Sequence, residues 1–215
     1  MVRQLNLLNQ RLTQKNSVTF YTHVASPIGY LLLLSDGRSV TGLYTDSHLK
    51  FKLAALDGHV AATPTDGVRL EHDDDVLPFA KAREQLAEYF AGQRTEFSIP
   101  LAPKGSQFQI LVWEQLCGIP YGQTISYAEL ARRVGNPKAS RAVGLANGRN
   151  PISIVIPCHR VIGSDGSMTG YAGGLAKKEL LLRHELNAGR ISVPALAVSS
   201  GRLAGTSVEP TISPY

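Results

Sequence analysis

Cys158 and His159 are adjacent residues whose side chains can act as a nucleophile and a base. A thiol attacks carbon as its thiolate, and an imidazole takes up the thiol proton best when a third group orients the ring. Pro157 precedes the pair, and a glycine-rich stretch at 163–174 follows, where the backbone can approach a ligand closely. A Cys-His dipeptide alone is weak evidence, because adjacent side chains on a strand point to opposite faces. We interpret Cys117, in or at the end of an apolar helix, as an inert core residue.

The rest of the composition excludes several kinds of site. The two cysteines and six histidines show no spacing typical of a zinc site, so we expect neither a metal nor another cofactor. No apolar run is long enough to cross a bilayer, and residues 1–17 lack the apolar stretch and cleavage site of a secretory signal. The sequence therefore predicts a cytoplasmic protein with no membrane contact and with both thiols reduced.

The positive charge is concentrated in the second half of the chain. The net charge is +5, but residues 1–103 carry ten Lys/Arg against eleven Asp/Glu, whereas residues 104–190 carry eleven against five. A basic half beside a near-neutral half is typical of a phosphate-facing module attached to a scaffold domain. A merely basic surface explains the charge equally well, so charge alone leaves nucleic-acid binding open.

The first half of the chain predicts an α+β domain without evident chemistry. Three short strands separated by turn signals are predicted at 18–24, 30–35 and 39–44. Apolar positions at helical spacing, ended by Gly92, predict a helix at 77–90. Residues 96–101 are a candidate edge strand.

The second half contains signals for short helices around one late apolar run. Ser106 with Gln109, and Ser126 with Glu129, have the spacing of N-terminal capping boxes. The predicted helices lie at 106–116, 127–134, 137–146 and 175–185, and a buried strand at 150–157. The second and third of these helices, joined through Gly135, form a helix-turn-helix pattern, which also occurs in helical hairpins that bind nothing.

Longer motifs surround Cys158 and are collinear with those of a known family. They comprise Ile125-Ser126-Tyr127, Asn136 through Gly144, Asn150-Pro151, Pro157 through Val161, Tyr171 through Leu175, and Lys178-Glu179. Over roughly residues 105–187 the chain closely resembles the O6-alkylguanine-DNA alkyltransferase family, whereas over 18–104 only the order of strands and helix fits. The resemblance implies DNA repair by direct, stoichiometric and irreversible transfer of an alkyl group from O6-alkylguanine to the protein, with the damaged base flipped out.

The resemblance also implies a two-domain α+β fold. A small N-terminal domain at 18–103, with a short antiparallel sheet and a helix of ribonuclease-H-like type, would precede a mostly helical C-terminal domain at 104–189 containing the helix-turn-helix. Residues 1–17 would be an N-terminal extension, and 190–215 a tail that we predict to be disordered. The expected partner is double-stranded DNA containing O6-alkylguanine, bound through its minor groove by a monomer with no obligate protein partner.

Catalytic roles follow from the resemblance alone. Cys158 would accept the alkyl group, His159 would act as base through a bound water, and Glu185 would hold the imidazole in the required tautomer. Tyr127 would hydrogen-bond the guanine and help protonate the departing base. Asn150 would tie the recognition helix to the active-site strand.

Binding roles are implied in the same way. Arg141 would enter the duplex and fill the space left by the flipped base. Further DNA contacts would come from Tyr127, Lys138, Ser140, Ala142 and Gly144. The substrate pocket would be lined by Tyr127, Val161, Tyr171, Ala172, Gly173 and Lys178. The family often has serine at the position of Ala172, a small departure because the expected contact there comes from the backbone amide.

Two other functions fit parts of the pattern. A helix-turn-helix regulator with a ligand-sensing N-terminal domain would bind a specified DNA sequence without consuming a substrate, and a cysteine hydrolase would turn over many times. A branch of the resembled family that carries tryptophan at the acceptor position binds lesions without repairing them, and Cys158 argues against that branch here. Counting labelled methyl groups transferred per protein molecule separates these functions.

Overall fold

The N-terminal part of the protein is built on a four-stranded sheet. The computed structural model describes residues 18–46 and 69–187. The strands are β1 (Val18–Ser26), β2 (Gly29–Ser35), β3 (Val40–Thr45) and β4 (Arg69–His72), in the spatial order β3-β2-β1-β4. The first three pair antiparallel, so the three predicted strands are confirmed to within two residues.

The edges of this sheet differ from the prediction. β4 pairs parallel with β1, so the sheet is mixed and not purely antiparallel. The sequence of β4, Arg-Leu-Glu-His, lacks the β-branched and aromatic residues that mark strands, which is why it was not predicted. The candidate strand at 96–101 does not form, because Pro100 cannot donate to a ladder; the segment makes one isolated bridge, between Leu101 and Val40.

Helix α1 (Leu77–Phe90) packs on the sheet and has the predicted boundaries. Pro78 lies in the first turn of the helix. The N–H groups of that turn have no acceptor within the helix, so the N–H that proline lacks costs no helical hydrogen bond. Gly92, just beyond the helix, has a φ of 72°, a conformation that glycine adopts without steric cost. The apolar face of α1, including Phe79 and Leu86, contacts β1 and β2 and closes the core above them.

Short helices dominate the C-terminal part. Within the described residues they are α2 (Gln107–Cys117), α3 (Tyr127–Arg133), α4 (Ser140–Gly148) and α5 (Leu175–Leu186). Two short strands, β5 (Ile125–Ser126) and β6 (Val161–Ile162), pair parallel. This arrangement agrees with the predicted mostly helical second half.

The two predicted capping boxes have different outcomes. At Ser106 both reciprocal hydrogen bonds with Gln109 form. At Ser126 the side chain accepts the N–H of Glu129 at 3.1 Å, but the Glu129 carboxylate does not accept the Ser126 N–H in return. It binds Arg132 and Arg133 on the next turn of the same helix, because two cations there compete with one backbone N–H.

Three other local predictions are wrong. Helix α4 begins at Ser140 and not at Pro137, because Asn136 forms a turn with Lys138 and Ala139 before the helix starts. Residues 150–157 form a buried irregular turn and not a strand. In an apolar run that is buried on all sides, the sequence has no periodicity that distinguishes a strand from a turn. Cys117 is exposed at the end of α2 and is not a core residue.

One hydrophobic core continues across both parts of the chain. Leu43 of β3 donates its N–H to the Pro151 carbonyl at 2.9 Å and accepts from the Ser153 N–H at 3.0 Å. An ion pair joins Lys177 to Asp46 at the same boundary. None of the described helices is long and apolar enough to span a membrane.

Candidate active site

Asn150 shapes the turn that leads to the cysteine. Its side-chain oxygen accepts the Ile152 N–H at 3.0 Å, and its amide donates to the Ile156 carbonyl at 2.8 Å. The Asn150 N–H also donates to the Asn147 carbonyl on α4 at 3.2 Å, so Asn150 connects that helix to the turn before Cys158. Asn147 adds a second connection, because its side-chain amide donates to the Cys158 carbonyl at 3.2 Å.

Cys158 begins a short 3₁₀ helix (Cys158–Arg160) and is 4% exposed. Burial raises the pKa of its thiol to about 11, against the opposing effects of a hydrogen bond from Asn150 and the charge of Lys178. A thiol in this state carries its proton at neutral pH. Reaction of this sulfur therefore requires a base.

His159 has the geometry of such a base. Its ring is fully buried, and its Nε2 lies 2.7 Å from Oε1 of Glu185. Because a carboxylate can only accept, this contact places the imidazole proton on Nε2. The other nitrogen, Nδ1, is buried and has no hydrogen-bond partner among the residues that the structure describes. Burial lowers the pKa of His159, so the neutral ring presents a free lone pair at Nδ1.

Glu185 is the centre of the buried polar network. It lies on α5 with 2% exposure and accepts from His159 and twice from Arg160, whose Nε and second terminal nitrogen lie 2.8 and 3.0 Å away. The Gly122 N–H and the Tyr89 hydroxyl complete its set of donors at 3.1 and 2.8 Å. A carboxylate with this many donors is both ionised and fixed in orientation.

The ionisation of Glu185 predicts a loss of stability in acid. Burial alone would raise its pKa, but the hydrogen bonds from His159 and Arg160 and the positive charge of Arg160 lower it to about 2, from a usual value of 4.5. The unfolded chain therefore binds a proton more readily, and the stabilisation is complete above pH 4.5 and is lost as pH falls toward 2. We expect the ionised carboxylate to contribute up to about 3 kcal/mol to the free energy of unfolding. Urea unfolding across this pH range measures the free energy of unfolding. If that free energy depended on pH equally in the natural protein and in Glu185→Gln, the prediction would be wrong.

Tyr127 and Lys178 both hold the glycine-rich loop. Tyr127, at the start of α3, donates its hydroxyl to the Thr169 carbonyl at 3.0 Å. The Lys178 ammonium donates to the carbonyls of Thr169 and Val161 at 2.5 and 2.6 Å. Burial lowers the pKa of Lys178 to about 8. Two side chains thereby fix the loop at Thr169.

An open depression lies on the outer side of the same loop. Its volume is about 460 Å³, and its walls are Tyr127, Ser140, Arg141, Gly144, Leu145, Thr169 and Gly170. Arg141 is exposed on the first turn of α4 and has no hydrogen bond or ion pair to any described residue. Cys158 does not line this depression.

The predicted residues thus fall into three groups. Cys158, His159, Glu185 and Asn150 form one buried cluster. Tyr127, Arg141, Ser140 and Gly144 meet at the depression, and Lys138 and Ala142 are exposed beside it. Val161, Tyr171, Gly173 and Lys178 are buried behind the loop, with Ala172 half-buried among them. A Cβ on Gly173 would come within 2.9 Å of the Thr45 side chain, so glycine is needed there.

Both parts of the chain match models of one known protein family. The family model described as 6-O-methylguanine DNA methyltransferase, ribonuclease-like domain, matches residues 19–103, and the model for the DNA binding domain matches residues 107–187. The methylated-DNA–protein-cysteine methyltransferase of Mycolicibacterium paratuberculosis is 61% identical over 165 residues, covering 77% of this chain and 91% of that protein. The chain belongs to the methylated-DNA–protein-cysteine methyltransferase family.

Other methyltransferases of this family match with similar coverage. That of Methanosarcina barkeri is 45% identical over 168 residues, covering 78% of this chain and 98% of that protein. The crystal structure of Mycobacterium tuberculosis OGT in complex with DNA has a TM-score of 0.65 and 41% identity, and covers 79% of this chain and 94% of that one. The family resemblance of the motifs and the ribonuclease-like type of the N-terminal part are confirmed.

Sequence reasoning missed two residues of the methyltransferase site. Arg160 follows His159, is 6% exposed, and binds both Glu185 and the Ile119 carbonyl, the latter at 2.6 Å. A signal for it was present, because an arginine within an apolar run must have a buried counterion. Tyr89 on α1 gave no such signal, since its apolar neighbours at helical spacing indicate a core residue.

Proposed function

We propose that this protein repairs DNA by transferring the alkyl group of O6-alkylguanine to the sulfur of Cys158. The observation that supports this most is the sequence of groups Cys158, His159 and Glu185: one imidazole nitrogen is bound to the carboxylate, and the other has no hydrogen-bond partner in the described part of the chain. The family membership supplies the reaction class. Transfer of labelled methyl from duplex DNA to the protein, counted per protein molecule, tests it.

The proposed chemistry is one displacement at the alkyl carbon. His159 takes the thiol proton at Nδ1, directly or through a water, while Glu185 stabilises the imidazolium that forms. The Cys158 thiolate attacks the alkyl carbon, a C–S bond forms, and the C–O6 bond breaks. The departing guanine is protonated with the help of the Tyr127 hydroxyl. A thioether is not hydrolysed back, so each molecule acts once.

We propose that α3 and α4 are the helix-turn-helix and that α4 is the recognition helix in the minor groove. Asn147 then connects this helix directly to the carbonyl of the acceptor cysteine. Small residues at Ser140, Ala142 and Gly144 allow α4 to approach the duplex closely, and Lys138 is placed to contact a phosphate. The boundaries 18–103 and 104–189 remain our proposal for the two domains.

Entry of the base requires the loop to move. The Tyr127 hydroxyl is bound to the Thr169 carbonyl, and the sulfur is 4% exposed. We propose that a flipped guanine replaces this contact, so that Tyr127 donates to the base and the loop opens over Val161, Tyr171, Ala172, Gly173 and Lys178. The free thiol that the chemistry needs is consistent with the cytoplasmic location that we propose.

Arg141→Ala should impair repair of duplex DNA far more than reaction with a free base. Arg141 is exposed beside Tyr127 and forms no ion pair with any residue that the structure describes, so its guanidinium can occupy the space of an extruded base. We expect O6-benzylguanine, which needs no flipping, to react at nearly the natural rate. A mismatch opposite the lesion should partly rescue the duplex reaction, because a mismatched base costs less to extrude.

Lys138→Ala is the matched control for Arg141→Ala. Loss of a phosphate contact is expected to lower affinity equally for all duplexes and to reduce the salt slope by about one. Single-turnover rates and salt-dependent affinities of both variants make the comparison. Equal losses of Arg141→Ala on free base and duplex would mean that Arg141 supports the pocket.

A further inference from the structure

Tyr89 brings a side chain of the N-terminal part into the buried network around Glu185. It lies on α1, is fully buried, and donates its hydroxyl to Glu185 Oε1 at 2.8 Å. This oxygen is the one that accepts the His159 Nε2–H at 2.7 Å. Tyr89 therefore shares an acceptor atom with the imidazole that the proposed reaction uses as base.

A second hydrogen bond fixes the same residue to α5. The Tyr89 carbonyl accepts from Nε2 of His184 at 2.7 Å, so Tyr89 binds two consecutive residues of that helix. The ring also packs edge-on against Phe90 and His184, with centroids 5.1 and 5.0 Å away. The hydroxyl has little freedom to leave Glu185.

The Tyr89 hydroxyl is held in its protonated form. Burial raises its pKa well above 10, and the charge of Glu185 raises it further. At neutral pH the hydroxyl is therefore a donor beside an ionised carboxylate. The ionisable groups that surround the Glu185–His159 pair are Tyr89, Tyr121, Cys158, Arg160, Lys178 and His184.

We propose that Tyr89 is a positioning residue of the transfer reaction, supplied by the N-terminal domain, that orients Glu185 and sets the basicity of His159. The inference rests on the proposed function. By donating to Oε1, the hydroxyl holds the carboxylate in the plane that receives Nε2–H and withdraws charge from the atom that His159 faces. Without it, Oε1 binds the imidazole proton more strongly, and the ring becomes easier to protonate.

Tyr89→Phe tests this by removing the hydroxyl and keeping the ring. With O6-benzylguanine as probe, we expect the single-turnover rate to fall roughly tenfold, as for the loss of one hydrogen bond to a charged group. We also expect the acid limb of the rate–pH profile to move to higher pH, because His159 must be neutral to accept the thiol proton. A residue that only packs the core would leave that limb in place.

Tyr121→Phe is the matched control, since it removes a hydroxyl in the same aromatic cluster that makes no hydrogen bond to Glu185 among the described residues. Its rate and pH profile should equal those of the natural protein. Tyr89→3-fluorotyrosine, a stronger donor of nearly the same shape, should move the acid limb to lower pH. It provides a test that does not depend on the stability of Tyr89→Phe.

The outcomes separate this inference from the proposed function. If the natural protein transfers no alkyl group to Cys158, the function is wrong. If it does, but Tyr89→Phe keeps the natural rate and pH profile, or 3-fluorotyrosine leaves the acid limb unmoved, Tyr89 has no positioning role.

Discussion

Incubation with excess O6-methylguanine duplex DNA will add one methyl group per protein molecule, and it will be on Cys158. The other cysteine makes this a sharp test, because Cys117 is exposed whereas Cys158 is 4% exposed. Simple accessibility would favour methylation of Cys117. Of the two cysteines, only Cys158 is followed in sequence by a histidine whose ring binds a carboxylate through one nitrogen, while the other nitrogen has no hydrogen-bond partner within residues 18–46 and 69–187. Peptide mass spectrometry after the reaction locates the added group.

Two alanine variants complete the experiment. Cys158→Ala should accept no methyl group and still bind DNA, because the proposed phosphate contacts come from other residues. Cys117→Ala should accept one group at the natural rate. Label on Cys117, or several turnovers per molecule, would contradict the mechanism and favour a hydrolase; binding without any transfer would favour a regulator.

Glu185→Gln should lower both the rate of transfer and the stability of the fold. The amide cannot hold His159 and Arg160 as the carboxylate does, and groups that orient or assist a base contribute about 10²–10⁴-fold in rate. The substitution also leaves Arg160 buried without a counterion. Removal of one partner of a buried ion pair costs about 3–5 kcal/mol. Single-turnover kinetics and urea unfolding measure the two effects separately.

Glu179→Gln is the control on the same helix. It makes the same chemical change at a largely exposed ion pair with Arg183, one helical turn away. Such pairs contribute about 1 kcal/mol or less, so rate and stability should both stay near natural values. Rates of Glu185→Gln are to be read at a temperature at which it is folded. A natural rate there would show that Glu185 acts in stability alone.

The parts of the fold that the sequence predicted are those with local signals. Helix α1 has an apolar stripe and a terminal glycine, and the Ser106 cap is encoded within four residues. The turn at 150–157 could not be predicted in this way, because its shape comes from Asn150 side-chain bonds and from β3. β4 could not be predicted either, since a short polar segment forms a strand only when another strand is present to pair with.

The residues of the site divide in the same way, into those with a local sequence signal and those without one. Cys158 and His159 are neighbours in sequence, and the surrounding motifs identify them. Arg160 and Tyr89 act on Glu185 across 25 and 96 residues of sequence, and such contacts arise only when the chain has folded. The resemblance named Glu185 without revealing that it has donors from α1, the 3₁₀ helix and the turn before β5.

The backbone at Ile154 has a consequence for folding. Its φ of 72° is costly for a β-branched residue, so the segment before Cys158 has no local preference for its native shape. That shape is held by the hydrogen bonds between Leu43 and the Pro151–Ser153 backbone, more than a hundred residues apart in sequence. Contacts of such long range form late, after the cost of closing a large loop has been met. We therefore expect the segment before the thiol to reach its native shape late in folding, and the rate of reaction with O6-benzylguanine during refolding would report when that shape is complete.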